Sequence, residues 1–373
     1  MFMKTKVWFA IWGLKDGGAE VLARTYATMV DKQAFEPTLV TIYPFEDTAN
    51  YQYAKDAGLK ICSVFKKRNT VNRVLRLLFG KWYIPFVLKR MLLKEKPDAI
   101  HFNSQLASWF VELHRELSGV RLLYTCHSEP NRYFSQEEKQ AVRQLIEYCN
   151  LQLIALHDDM RVELDQLFST KNTIVIRNGV DLDRFRLSAA DPAATRKSLG
   201  IPQNAYVVGH IGRFAAVKNH QFLLQVFQEI VARKPHAHLL LIGSGELKEQ
   251  IKEQISRQQL DKCVTLISHR TDIPDLLQAM DVMVFPSLIE GLSVTLVEAQ
   301  VSGLKCVISD TINPANLLSS KTIPVSLDAP VATWADIVLD DALKNENYGD
   351  IEAYDMNREI HRLERLYQGK LDV

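Results

Sequence analysis

Cysteine is scarce in this chain and never paired in sequence. The five residues Cys62, Cys126, Cys149, Cys263 and Cys306 are scattered singly, with no C-x-x-C among them. An odd number at such spacing indicates neither a disulfide framework nor a zinc site, and a reducing cytoplasm suits it. Long hydrophobic runs are also missing: no stretch reaches the ~18 residues a membrane-spanning helix needs. The short apolar run near the N-terminus, in MFMKTKVWFAIWGLKDGG, ends in Gly, Lys and Asp without a small-residue cleavage pattern, so it reads as a first β-strand rather than a leader. No period of 20 to 50 residues recurs, which sets aside solenoids and propellers. Net charge is close to balance at +1, so nothing suggests nucleic acid as a partner.

The balance hides one place where acid is absent. Residues 66–94 hold nine basic residues (Lys66, Lys67, Arg68, Arg73, Arg76, Lys81, Lys89, Arg90 and Lys94) and no Asp or Glu. Within it Val71, Val74, Leu75, Leu78 and Trp82 recur at helical spacing, and Pro85 is expected to interrupt the pattern. Two readings stand. The apolar face packs on the first domain's sheet, or the segment meets an anionic membrane, with Trp82 and Tyr83 at the headgroup boundary. The second places the protein in the cytoplasm and peripherally on the inner face of the cell membrane.

What is present is a chain of 373 residues, 47% hydrophobic, too long for one core and suited to two domains. Short buried-strand runs alternate with helix-length intervals: KVWFAIW, PTLVTIY, LKICSVF, DAIHFN, RLLYTCH, LQLIALH and TIVIRN. The pattern pauses over residues 178–205, which read as a linker, and restarts with YVVGHIG, HAHLLLIG, CVTLIS, DVMVFPS and LKCVIS. The expected fold is α/β, two Rossmann-like domains facing across a cleft. The boundaries are 1–181 for the first domain, 182–350 for the second, and 351–373 for a last helix returning to the first.

Ligands in such sheets bind beyond the carboxyl ends of strands, so those positions carry the chemistry. In WGLKDGGAEVL, Gly17 and Gly18 admit close approach of a phosphate or sugar to a helix N-terminus, or simply make a tight turn. In LLYTCHSEP, His127 ends a strand. In HIGRFAAVKNH, Arg213 and Lys218 are two cations in one loop, suited to a diphosphate or else merely solvated. In VFPSLIEGLSVTLVEAQ, Glu290 lies in a loop and Glu298 eight residues on, inside a helix. The first amides of that helix, at Leu292, Ser293 and Val294, are expected to be unpaired donors and a seat for diphosphate. Glu298 then reaches sugar hydroxyls beyond the phosphates, and Glu290 whatever the diphosphate carries. The bland alternative makes Glu298 a surface residue and Glu290 a helix-dipole partner.

GRFAAVKN, LLIGSGELKEQI, TDIPDLLQAMDVMVFPS and EGLSVTLVEAQ, in this order and spacing, resemble the family 4 retaining glycosyltransferases of GT-B fold. The resemblance covers most of the second domain and, more loosely, the first. It implies that Arg213 and Lys218 hold the donor diphosphate, Glu298 the ribose hydroxyls, and Glu290 the sugar near the reacting carbon. It implies further that His127 contacts the sugar, that Gly17 and Gly18 face the phosphates, and that His269 and Arg270 edge the nucleobase. Two departures stand out: Ser268 where the family often has Gly, and Asn316 where an acid is common. The activity implied is transfer of a sugar from a nucleoside-diphosphate donor, a UDP-hexose or UDP-N-acetylhexosamine, to a hydroxyl of a glycan or lipid-linked acceptor in surface polysaccharide synthesis. No metal or cofactor is expected, since no Asp-x-Asp accompanies the donor elements. On this reading Glu290→Gln leaves nucleotide affinity nearly intact and lowers turnover, whereas Glu298→Gln weakens nucleotide and donor alike. A nucleotide-sugar epimerase on the same plan, or a silent nucleotide-sugar-binding subunit, are the alternatives.

Overall fold

The computed structural model of the chain describes residues 3–15, 17–186, 190–268, 270, 272–290, 292–346 and 348–370. It divides into two compact units, Met1–Asn178 with Asn357–Val373, and Gly179–Met356.

The first unit is built on a parallel sheet of seven strands: β1 (Thr5–Gly13), β2 (Phe35–Tyr43), β3 (Lys60–Ser63), β4 (Ala99–Phe102), β5 (Arg121–Thr125), β6 (Gln152–Ala155) and β7 (Thr173–Val175). Their order is β3-β2-β1-β4-β5-β6-β7, so the switch in direction falls between β1 and β4, at the centre. β1 and β4 are apolar on both faces because helices cover both, which is why their sequences run hydrophobic without alternation. The last helix, Met356–Tyr367, packs here through its buried Ile360, Leu363 and Tyr367. Tyr367 Oη lies 2.8 Å from His101 Nδ1, and His101 Nε2 lies 2.7 Å from Thr125 Oγ1, so the C-terminal helix is tied to two central strands through a fully buried imidazole. Burial, with His127 adding to it, pushes the His101 pKa down to about 3 and keeps the ring neutral.

From Thr70 on the basic segment forms one helix, Thr70–Glu95, that continues through Pro85, with Lys66, Lys67 and Arg68 preceding it. The expected interruption does not occur. Proline's fixed φ is helical, and the missing N–H costs one bond in a helix that Ile84, Leu88 and Leu92 anchor in the core on the C-terminal side. The five apolar residues that one of the two readings packs on the sheet face outward: Trp82 is 76% exposed, Leu78 68% and Val71 65%, and Val74 and Leu75 are exposed too. Leu77, Phe79 and Phe86 add to this surface. Arg76 turns inward, its guanidinium over the Trp12 ring at 5.4 Å.

The second unit has six parallel strands, β8 (Tyr206–Ile211), β9 (Ala237–Ile242), β10 (Val264–Ile267), β11 (Val282–Phe285), β12 (Lys305–Ser309) and β13 (Thr322–Val325), in the order β10-β9-β8-β11-β12-β13. β13 is one strand more than the sequence pattern suggests; its Pro324 is tolerated because β13 is an edge. The presumed linker is in part structured: helices Leu182–Arg186 and Pro192–Ser198 lie within it, and the first packs against helix Val294–Val301. Val180 bridges to Asp355 alongside, so this stretch is held at both ends of the unit's chain.

Candidate active site

In the second unit the chemistry gathers just beyond β8 and β11, neighbours at the centre of the sheet. The loop after β8 carries Arg213 and ends in a short 3-10 turn, Ala216–Lys218. Glycines allow the loop its course: a Cβ on Gly243 would stand 2.0 Å from the carbonyl of Gly212, and one on Gly245 2.4 Å from that of Phe214. Both glycines also take positive φ, so the LLIGSGE segment is shaped to let the Arg213 loop lie against it. The backbone of Leu288, just past β11, donates to Val217 and fastens the two loops together.

There Lys218 Nζ meets Glu290 Oε1 at 2.6 Å, with the two side chains only 14% and 13% exposed. The ammonium also stands 4.5 Å from the centre of the Phe285 ring. The pair is close, shielded and centrally placed, so Lys218 is held ready and its charge is already answered. Arg213 differs: it is largely exposed and pairs with Glu246 at 2.9 Å, an outer contact easily exchanged. Backbone hydrogen bonding and Arg213 hold the Glu246 carboxyl below its usual range.

Helix Val294–Val301 follows, with Ser293 as N-cap, its Oγ accepting from Leu296 N at 3.4 Å. The expectation of a row of unpaired amides needs correction at Ser293. Its N–H donates to Asn316 Oδ1 at 2.9 Å, because the fully buried Asn316 needs a donor for that oxygen. Asn316 in turn donates from Nδ2 to Asn313 O and accepts from Gln300 Nε2 on its main chain at 2.8 Å. A neutral amide thus does the fastening where the family more often has an acid. Leu292 and Ser293 are buried, and Val294 is partly exposed. Glu298 lies on the same helix, half-buried, with no hydrogen bond to its carboxylate among the described residues. Burial pushes its pKa up to about 8, with Arg184 of the Leu182–Arg186 helix opposing.

Arg270 forks onto Asp272, Nε to Oδ1 at 2.8 Å and the second nitrogen to Oδ2. His269 and Gly291 lie outside the described residues. Ser268 accepts from Lys248 Nζ at 3.4 Å.

In the first unit Gly17 is the N-cap of helix Gly18–Met29 at φ −99, a conformation any residue adopts. A Cβ there would stand 2.4 Å from Glu20 Oε2, the end of a flexible side chain that can move aside, and Gly18 faces open space, so neither position demands glycine by packing. His127 follows β5; its Nε2 lies 3.2 Å from Asn103 Oδ1, and burial pushes its pKa down to about 4. Sequence reasoning missed Asn103, Glu246, Gln300 and Arg184. Gln300 was findable, as the one amide in an apolar helix: it accepts from Leu318 N, Ser319 N and Thr322 Oγ1 and donates to Leu296 O and Asn316 O.

Two parallel-sheet α/β units in one chain are the plan of GT-B glycosyltransferases, and whole-chain likeness agrees. The crystal structure of Anabaena HepE in complex with UDP and glucose superposes with a TM-score of 0.75 at 19% identity, covering 98% of this chain and all of that one. Residues 16–184 match the family described as Glycosyltransferase Family 4, and residues 205–338 the one described as Glycosyl transferases group 1. The chain belongs to the group 1, family 4 glycosyltransferases. EpsF of Bacillus subtilis is 31% identical over 250 residues, spanning 65% of each chain. UDP-Gal:alpha-D-GlcNAc-diphosphoundecaprenol alpha-1,3-galactosyltransferase of Escherichia coli is 28% identical over 300 residues, spanning 75% of this chain and 77% of that one.

Proposed function

We propose that the protein moves a hexose or N-acetylhexosamine from its UDP donor to a hydroxyl of a lipid-linked or glycan acceptor, with retention of anomeric configuration, in surface polysaccharide synthesis. The observation that carries this reading is the shielded Lys218–Glu290 pair beyond β11, with Glu298 on the helix that follows. Lys218 and Arg213 bind the diphosphate and stabilise its departure, each leaving a carboxylate partner to do so. Glu298 accepts from ribose hydroxyls. Glu290, released by Lys218, accepts from the hydroxyls of the sugar. Arg270 edges the base. In the first unit, Gly18 leaves room for a phosphate or sugar at a helix N-terminus, and His127 offers a nitrogen to a sugar hydroxyl.

In the reaction the bond from the anomeric carbon to the diphosphate oxygen breaks as the acceptor oxygen bonds to that carbon on the same face. The acceptor's proton passes to the departing phosphate oxygen. The E. coli relative's name specifies UDP-Gal and an undecaprenol-linked acceptor, which supports this donor and acceptor class.

No helix among the described residues is long and apolar enough to cross a membrane. Contact with an anionic leaflet is assigned to helix Thr70–Glu95, whose exposed Trp82 and Leu78 suit the interface and whose flanking cations suit its charge. Thermal-shift screening of nucleotides and nucleotide sugars tests the donor. UDP and one UDP-sugar should raise the melting temperature; stabilisation by a different nucleotide alone would sink the UDP assignment.

A further inference from the structure

The orientation of one buried amide fixes more than its own hydrogen bonds. Asn103 follows β4 and is fully buried. Its main-chain N–H donates to Ala10 O at 2.9 Å, which locks the backbone to β1. Its side-chain Nδ2 lies 3.1 Å from the carbonyl oxygen of His101. A carbonyl only accepts, so the amide cannot be reversed without setting oxygen against oxygen in a buried place. Asn103 Oδ1 is therefore the atom facing His127, and it too only accepts. The imidazole nitrogen 3.2 Å away, Nε2, must carry the ring's proton. His127 Nδ1 is then the bare nitrogen. It is buried and has no hydrogen-bond partner among the described residues.

We infer that Asn103 is a positioning residue that holds His127 in its Nε2–H form, so that Nδ1 is presented as an acceptor and pairs only with a donating group such as a sugar hydroxyl. The inference rests on the reading of His127 as a sugar contact, and it makes that contact directional. A hydroxyl that reaches Nδ1 satisfies a buried lone pair that otherwise lacks a partner, whereas an ether oxygen or a phosphate oxygen meets lone pair with lone pair. The pKa near 4 leaves the ring neutral at pH 7, so one tautomer is selected there.

Nitrogen-15 NMR of the full-length protein, labelled at histidine and free of ligand at pH 7, tests this, with His127→Gln identifying the signals. Nε2 should show the shift of a protonated ring nitrogen and Nδ1 that of a bare one; the reverse, or an average of the two, overturns the proposal. In Asn103→Leu the two shifts should move toward the average, and retention of the pure Nε2–H form would likewise overturn it. Should that variant not fold, Asn103→Asp keeps an oxygen facing the ring and should keep Nε2 protonated; an Nδ1–H ring there refutes the role. The sugar contact is judged separately. If His127→Gln leaves turnover of the UDP-sugar selected by thermal shift unchanged, the sugar reading falls, while the tautomer result still decides whether Asn103 sets the ring.

Discussion

Replacing Glu290 by Gln should tighten the binding of free UDP. The side chain of Glu290 is nearly isosteric with Gln, so the change removes a charge and little else. In the ligand-free protein Lys218 spends its charge on Glu290, at 2.6 Å and shielded from water, and must loosen that contact to meet a phosphate. A hydrogen bond to a charged group contributes about 1.5–3 kcal/mol. Gln still accepts from the ammonium as a neutral amide, so roughly half of this is released to the ligand. Removal of a negative charge beside an anionic ligand acts in the same direction. The expected gain is about 1.4 kcal/mol, close to tenfold in Kd. Lys218 should not drift, because the Phe285 ring keeps its place beneath the ammonium. The pair thus revises what the sequence alone suggests, that affinity stays nearly intact. Isothermal titration of UDP into the wild type and the variant is the assay. Affinity unchanged or weakened in Glu290→Gln would refute the exchange of partners, and would mean that Lys218 serves Glu290 and phosphate together.

Lys218→Ala should weaken UDP binding by about 1.5–3 kcal/mol in the same titration, since a charge-assisted contact is lost. Glu298 has its folded pKa raised to about 8, so the folded protein holds a proton that the unfolded chain releases near the ordinary carboxylate range. Stability should therefore fall as pH rises between about 4.5 and 8, and Glu298→Gln should flatten this part of a melting temperature against pH curve measured by calorimetry; an unchanged slope contradicts the burial argument. Gln300→Ala leaves several buried groups unpaired and should cost about 3 kcal/mol in urea unfolding; a loss below 1 kcal/mol would deny its role as a hub. The protein should sediment with anionic but not zwitterionic vesicles at low salt, and lose this on replacing Lys66, Lys67, Arg68, Arg73 and Arg76 by Gln; equal binding to both vesicle types would remove the charge argument.

Much of the sheet plan was legible because parallel strands buried on both faces write themselves as apolar runs. β13 was missed because TIPV is short and carries a proline, which reads as loop until its edge position is known. Glu290 and Glu298 stood out in the sequence through their E-x7-E spacing taken together with Arg213 and Lys218 upstream. The Lys218–Glu290 pair was not, because its partners lie 72 residues apart and only the adjacency of β8 and β11 joins them. The outward face of helix Thr70–Glu95 was hidden for a different reason. Periodicity finds an apolar stripe but does not say whether that stripe or the i, i+4 row of Ile84, Leu88 and Leu92 meets the core. Asn103 gave a weak signal: one amide after an apolar strand is common, and its role depends on which way the side chain is turned.

The central claim is that a sugar leaves UDP and arrives on the acceptor with its configuration kept. Proton NMR of the product formed from the UDP-sugar selected by thermal shift and a synthetic lipid-diphosphate-linked sugar acceptor reads this directly, through the coupling constant of the transferred anomeric proton, alongside the release of free UDP. An α-configured donor should yield an α-linked product and one UDP per bond formed. A β-linked product, or turnover of the donor's sugar without release of UDP, would contradict the account.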